Sequence, residues 1–163
     1  MSNQKPVALG QMDEMAWKIL AQLQADARLS FSELGRRIGL STPATAERVR
    51  RLEDQGVILG YRAMVDPERV GLGVGAFIRI RLAGPESLAR KLTEALERMP
   101  EVLECHRCTG DESFILKVRV ESVGALEALI DKLSPFGATS TSLILSSPVD
   151  RRTLREASRA QSA

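Results

Sequence analysis

The chain has 163 residues, 44% hydrophobic and 27% charged, with a formal net charge of +2. That length holds one average domain or two small ones, and the composition is ordinary for a soluble protein. No apolar run approaches the roughly 18 residues of a membrane span, residues 1–10 lack the apolar core of a secretion signal, and two cysteines make no disulfide framework, so the expected compartment is the cytoplasm.

Residues 13–25 place Ala16, Trp17, Ile19, Leu20 and Leu23 at helical spacing, with Asp13 as N-cap. Ser30 and Glu33 have capping-box spacing and predict a short helix in which Leu34 and Ile38 face inward and Gly39 stops the turn. A third helix is expected over 41–54, capped by Ser41 or Thr42, with Pro43 in its first turn and Gly56 closing it. Its inward stripe is Thr45, Ala46, Val49 and Leu52; Ala44, Glu47, Arg48 and Arg51 are expected on the opposite side, with Arg50 at the flank. Three helices, the last two joined by a tight Gly-containing turn, form the helix-turn-helix pattern.

Residues 57–66 are rich in β-formers and predict a strand-like linker. Beyond it the periodicity changes. Val74 to Leu82 alternates as a strand; 86–99 is a helix with Leu88, Leu92, Ala95, Leu96 and Met99 on one face. Strands follow over 101–109 and 113–121, then a helix capped by Ser122 with Val123, Leu126, Leu129, Ile130 and Leu133 inward, then a strand over 138–147. The order βαββαβ is the ferredoxin-like split arrangement, so the fold class is α+β. The expected organisation is a helix-turn-helix domain over 12–60, a β linker over 61–72, a ferredoxin-like domain over 73–149 and a solvated basic tail over 150–163 that includes Arg151, Arg152, Arg155 and Arg159.

The run GRRIGLSTPATAERVRRLEDQGVILGYRAMVDPERVGL, the hairpin TGDESFILKV and the closing TSTSLIL together resemble the leucine-responsive and asparagine-responsive regulators, the Lrp/AsnC or feast/famine family. The resemblance spans roughly residues 12–147. A helix-turn-helix alone is weakly specific; the RRLEDQGVI, GYRA and VDP run ahead of a βαββαβ domain is strongly so. It implies a DNA-binding head, a β linker and a domain that pairs through its sheet into homodimers, often assembling to tetramers or octamers. It also implies an amino-acid effector bound between dimers near the hairpin of the second and third strands, and no cofactor.

Arg36, Arg37, Arg48, Arg50 and Arg51 face a single acid, Glu47, between positions 36 and 51, a local balance of +4. A phosphate backbone is the natural partner of such a concentration. This motif presents the first turn of its third helix to the major groove. Ser41, Thr42, Ala44, Thr45 and Arg48 are therefore the candidates for base-edge or phosphate contact, with Thr45 compromised by its place in the inward stripe. Arg36, Arg37, Arg50 and Arg51 suit backbone contacts, which position without specifying. Glu47 stands where many family members carry a basic residue; it can accept from a cytosine amine or pair with Arg51 at i+4, and pairing is the favoured reading.

In the resemblance the effector region is Thr109, Gly110, Asp111, Glu112 and Ser113, with Thr139 and Thr141 matching the family's T-x-T. Glu112 replaces the usual aromatic and Ser113 the usual Asp, which leaves the ligand open. An ordinary hairpin with no effector is the alternative. Cys105 and Cys108 with His106 between them suggest a metal or redox sensor. Residues three apart on a strand point to opposite faces, however, and two thiols with one imidazole do not close a tetrahedral site. No catalytic triad, HExxH or phosphate loop supports an enzyme. With 4% aromatic residues the chain does not offer the base-stacking platform of an RNA-binding module of this topology.

Overall fold

Asp13 begins the first helix: its Oδ1 accepts from the Ala16 amide at 2.7 Å, and α1 runs Glu14–Ala25. Ser30 accepts from the Glu33 amide to open α2 (Phe31–Ile38), and Ser41 from the Ala44 amide to open α3 (Thr42–Asp54). Between them Gly39 takes φ +79°, the left-handed conformation that ends α2 and that only glycine adopts without strain. Ile19, Leu34 and Val49 bury completely or nearly so, one from each helix, with Ala16, Leu23 and Leu52 around them. Each large side chain so buried stabilises the head by roughly 1.5–3 kcal/mol. The computed structural model describes residues 12–150 and 152–156. It divides the chain into two units, one of residues 1–63 with 149–163, the other of residues 64–148.

In the second unit four strands form one antiparallel sheet: β1 (Val74–Leu82), β2 (Val102–Arg107), β3 (Phe114–Val120) and β4 (Gly137–Leu143), ordered β2-β3-β1-β4. Helices α4 (Glu86–Leu96) and α5 (Val123–Leu133) cover one face. Ala76, Ile78 and Ile80 of β1 and Leu116 and Val118 of β3 meet Leu92, Leu129 and Leu133 there. The expected βαββαβ order and its α+β class are what the chain adopts.

Some expectations change. Residues 59–66 form no strand, since β propensity alone does not make a ladder. Val123, expected inward, is 63% exposed, because as the first residue after the Ser122 cap it points away from the sheet. Unbroken alternation along the expected strand 101–109 would put Val102 on the face of Glu104 and His106, but it pairs with Val118 on the helix-covered face. A bulge between Val102 and Glu104 resets the alternation by one residue. The tail is described only in part; Arg151 and Arg159 lie outside the described residues. Where it is described, Leu154 is not frayed: Gln24 of α1 donates to its carbonyl at 3.0 Å and accepts from its amide at 2.8 Å.

Candidate DNA interface and effector region

The first turn of α3 stands in solvent. Ser41, Thr42, Pro43 and Ala44 are exposed, and Ser41 is fixed by its capping bond. Thr45 is not available: it is 0% exposed, and its hydroxyl donates to the Ser41 carbonyl at 2.9 Å. The expectation of a base-edge role for Thr45 is therefore corrected. That hydroxyl helps fix the start of α3 against α2, where Gly35 leaves the necessary space.

Most of the arginines are already paired. Glu33 receives Arg36 through both carboxylate oxygens at 2.8 Å and Arg37 at 2.8 Å. Hydrogen bonds from Arg36, then Arg37, hold the Glu33 carboxyl at about 2, far below its ordinary value. Glu33 thus spends its side chain on arginines of its own helix rather than on a reciprocal capping box. Arg51 pairs with Glu47 at 3.0 Å, the favoured i+4 arrangement. Arg50 is exposed and, among the described residues, meets no carboxylate. Arg48 reaches across to α1, where Asp13 Oδ2 accepts from it at 2.7 Å. Ala44, Glu47, Arg48 and Arg51 were expected on the side away from the core; they line a cleft of about 360 Å³ whose other wall is Met12, Asp13 and Ala16. The Asp13–Arg48 pair joins positions 35 residues apart, and no local periodicity foretells it.

In the second unit Thr109–Ser113 forms the turn between β2 and β3, with Gly110 at φ +104°. The Asp111 carbonyl accepts from Arg81 at 3.1 Å, and Ser113 is committed within the chain, its Oγ accepting from the Leu82 amide at 3.2 Å. Thr139 and Thr141 pair with Ile80 and Ile78 on β4, so they lie on the helix side of the sheet. The central strand β1 separates them from β3, a span of roughly 10 Å at two inter-strand spacings. The two halves of the expected effector region share one end of the sheet, on either side of β1.

The opposite face of the sheet carries Phe77, Arg79 and Arg81 of β1 and Ile115, Lys117 and Arg119 of β3, and α4 and α5, the helices described in this unit, do not cover it. On it Glu104 bridges His106 and Lys117, each at 3.2 Å, and those hydrogen bonds hold its carboxyl below the usual range, His106 contributing most. Cys105 pairs with Leu116 on the helix side, while Cys108 lies past the end of β2 with its thiol against the His106 carbonyl. Among the described residues no cluster of three or more metal-ligating side chains exists, and no helix is long and apolar enough to cross a membrane.

A three-helix head with a positively charged helix-turn-helix, and an α+β unit of ferredoxin-like topology, define the architecture of a DNA-binding transcription regulator. The sequence matches the AsnC-type helix-turn-helix domain over residues 12–53 and the Lrp/AsnC ligand binding domain over residues 75–154. The chain belongs to the Lrp/AsnC family of helix-turn-helix transcriptional regulators, a family that is not enzymatic. It is 44% identical over 136 residues to the regulator YezC of Bacillus subtilis, covering 83% of this chain and 95% of that one. It is 38% identical to the leucine-responsive regulatory protein of Escherichia coli, covering 73% of each. Among solved structures, LrpC of Bacillus subtilis superposes with a TM-score of 0.79 at 35% identity, covering 86% of this chain and 98% of that one. A feast or famine regulatory protein of Mycobacterium tuberculosis in complex with L-methionine gives 0.80 at 36% identity, covering 88% and 99%.

Proposed function

We propose that α3 is the recognition helix of a sequence-specific cytoplasmic regulator that works as a homodimer or a larger assembly of dimers on duplex DNA. The observation that carries this reading is the exposed first turn of α3 within a stretch of five arginines. Ser41, Thr42, Ala44 and Arg48 face base edges or nearby phosphates, the amides of the first turn add a phosphate site, and Arg36, Arg37, Arg50 and Arg51 grip backbone. The linker 61–72 and the sheet face that α4 and α5 leave open supply the dimer contact, giving two heads related by a two-fold axis. The domain organisation that serves this is a head over 12–60, the linker, a sensing domain over 73–149 and the tail.

The turn Thr109–Ser113, with Thr139 and Thr141, binds an amino acid or a related zwitterion between dimers. Amides at the turn meet its carboxylate, and Asp111 or Glu112 meets its ammonium. The L-methionine complex of the Mycobacterium tuberculosis relative supports the ligand class. Titration of a duplex enriched from a random pool, and of a scrambled duplex, tests the DNA assignment. Arg48→Ala weakens the enriched duplex by about 1–3 kcal/mol if the contact is bidentate to a base, whereas Arg36→Ala weakens both duplexes alike. Unchanged affinity of Arg48→Ala for the enriched duplex contradicts the assignment of Arg48.

A further inference from the structure

Arg48 is held before any DNA arrives. Asp13 uses one carboxylate oxygen to cap α1 and the other to accept from Arg48 at 2.7 Å. Capping fixes the carboxylate to the start of a helix, so the guanidinium is tethered to the scaffold of the head. The contact differs from those of Arg36, Arg37 and Arg51, whose acids sit three or four residues away on the same helix. Arg48 remains 40% exposed and Asp13 55%, so the pair stands at the rim of the cleft between α1 and α3, within reach of an incoming duplex.

We propose that Asp13 is a specificity-determining positioning residue for DNA binding, one that withholds Arg48 from indiscriminate capture by phosphate while leaving it able to read a base edge. The proposal rests on the reading of α3 as the recognition helix. An unpaired arginine on such a helix is attracted to any phosphate, whatever the sequence beneath it. A carboxylate in contact with the same guanidinium opposes that capture twice, by competing for the cation and by repelling the phosphate. A guanidinium has five N–H donors. The bond to Asp13 occupies one of them, on Nη1. The others can reach two acceptors on a guanine edge with the Asp13 bond intact. The pair therefore penalises backbone contact more than base contact.

The test is Asp13→Ser in the full chain. Serine is as good an N-cap as aspartate but is too short and uncharged to hold Arg48, so α1 keeps its cap, which circular dichroism and a denaturation curve verify. Binding to the enriched duplex and to its scrambled counterpart is titrated at several salt concentrations, in wild-type and Arg48→Ala backgrounds. In the wild-type background affinity for the scrambled duplex rises roughly two- to fivefold, that for the enriched duplex rises less, and the salt slope steepens by about 0.9 as Arg48 neutralises a further phosphate. In the Arg48→Ala background Asp13→Ser leaves slope and preference unchanged. Equal changes in the two backgrounds overturn the proposal, since they would reflect only the lost negative charge; so does an unchanged preference in the wild-type background. If Arg48→Ala itself changes neither duplex, the assignment of Arg48 to DNA fails first, and the proposal falls with it.

Discussion

Gly35 of α2 and Thr45 of α3 approach so closely that a Cβ at position 35 would lie 2.8 Å from Thr45 Oγ1 and 2.5 Å from the Leu40 carbonyl oxygen. This contact fixes how the recognition helix leaves the turn. Gly35→Ala gains about 1 kcal/mol of helix propensity, but the clash is with backbone and with a buried, hydrogen-bonded hydroxyl that cannot swing away. Overpacking of about 1–3 kcal/mol wins. Chemical denaturation of the variant is expected to show a net loss of stability together with weaker DNA binding; a variant as stable as wild type would mean that the two helices can separate freely.

Glu33 gives the head an acid-sensitive element. Its carboxyl sits at about 2 in the folded protein, held first by Arg36 and then by Arg37, against an ordinary value of 4.5. The unfolded chain takes up a proton at this residue as pH falls below 4.5, while the folded chain resists until about 2. The contribution is complete above the upper value and is lost progressively through that window. Glu33→Gln is expected to flatten the fall in denaturation midpoint between pH 5 and pH 3, to about the extent that screening of this exposed group allows. Parallel curves for the two proteins would contradict the assignment.

Local chemistry in the sequence located most of the architecture. Asp13, Ser30 and Ser122 cap the helices they were expected to cap, and Ser41, one of two candidates, caps the third, because a capping bond needs only residues three positions apart. The buried stripe Thr45, Val49 and Leu52 and the alternation of β3 are equally local in origin. What the sequence did not disclose depends on long-range geometry. The Asp13–Arg48 pair crosses 35 positions, the value of Gly35 depends on where α3 passes, and the bulge after Val102 is set by its partner strand. The linker was read as a strand from its composition, but strand formation needs a neighbour as well as a propensity.

The uncovered sheet face predicts assembly. Light scattering at micromolar concentration is expected to find a dimer or a multiple of it, and Ile115→Glu, which replaces an apolar side chain of that face, between Arg79 and His106, by a carboxylate, is expected to shift the protein towards monomer. An amino acid that binds at Thr109–Ser113 acts only through unequal affinity for the assembly states. Screening the common amino acids is therefore expected to find one that changes oligomer size or operator affinity, and Glu112→Ala is expected to remove that response while leaving the dimer intact. A wild-type monomer refutes the assembly; a stable oligomer indifferent to every amino acid leaves assembly standing and removes the sensing.

Selection of duplexes from a random-sequence pool by the purified protein asks at once whether the α3 head reads sequence and whether two heads act together. The pool is expected to converge on a pseudo-palindrome whose half-sites lie one or more helical turns apart, bound about a thousandfold or more tightly than a scrambled duplex. A pool that retains random sequence after repeated rounds, bound with the affinity of any other duplex, would contradict it.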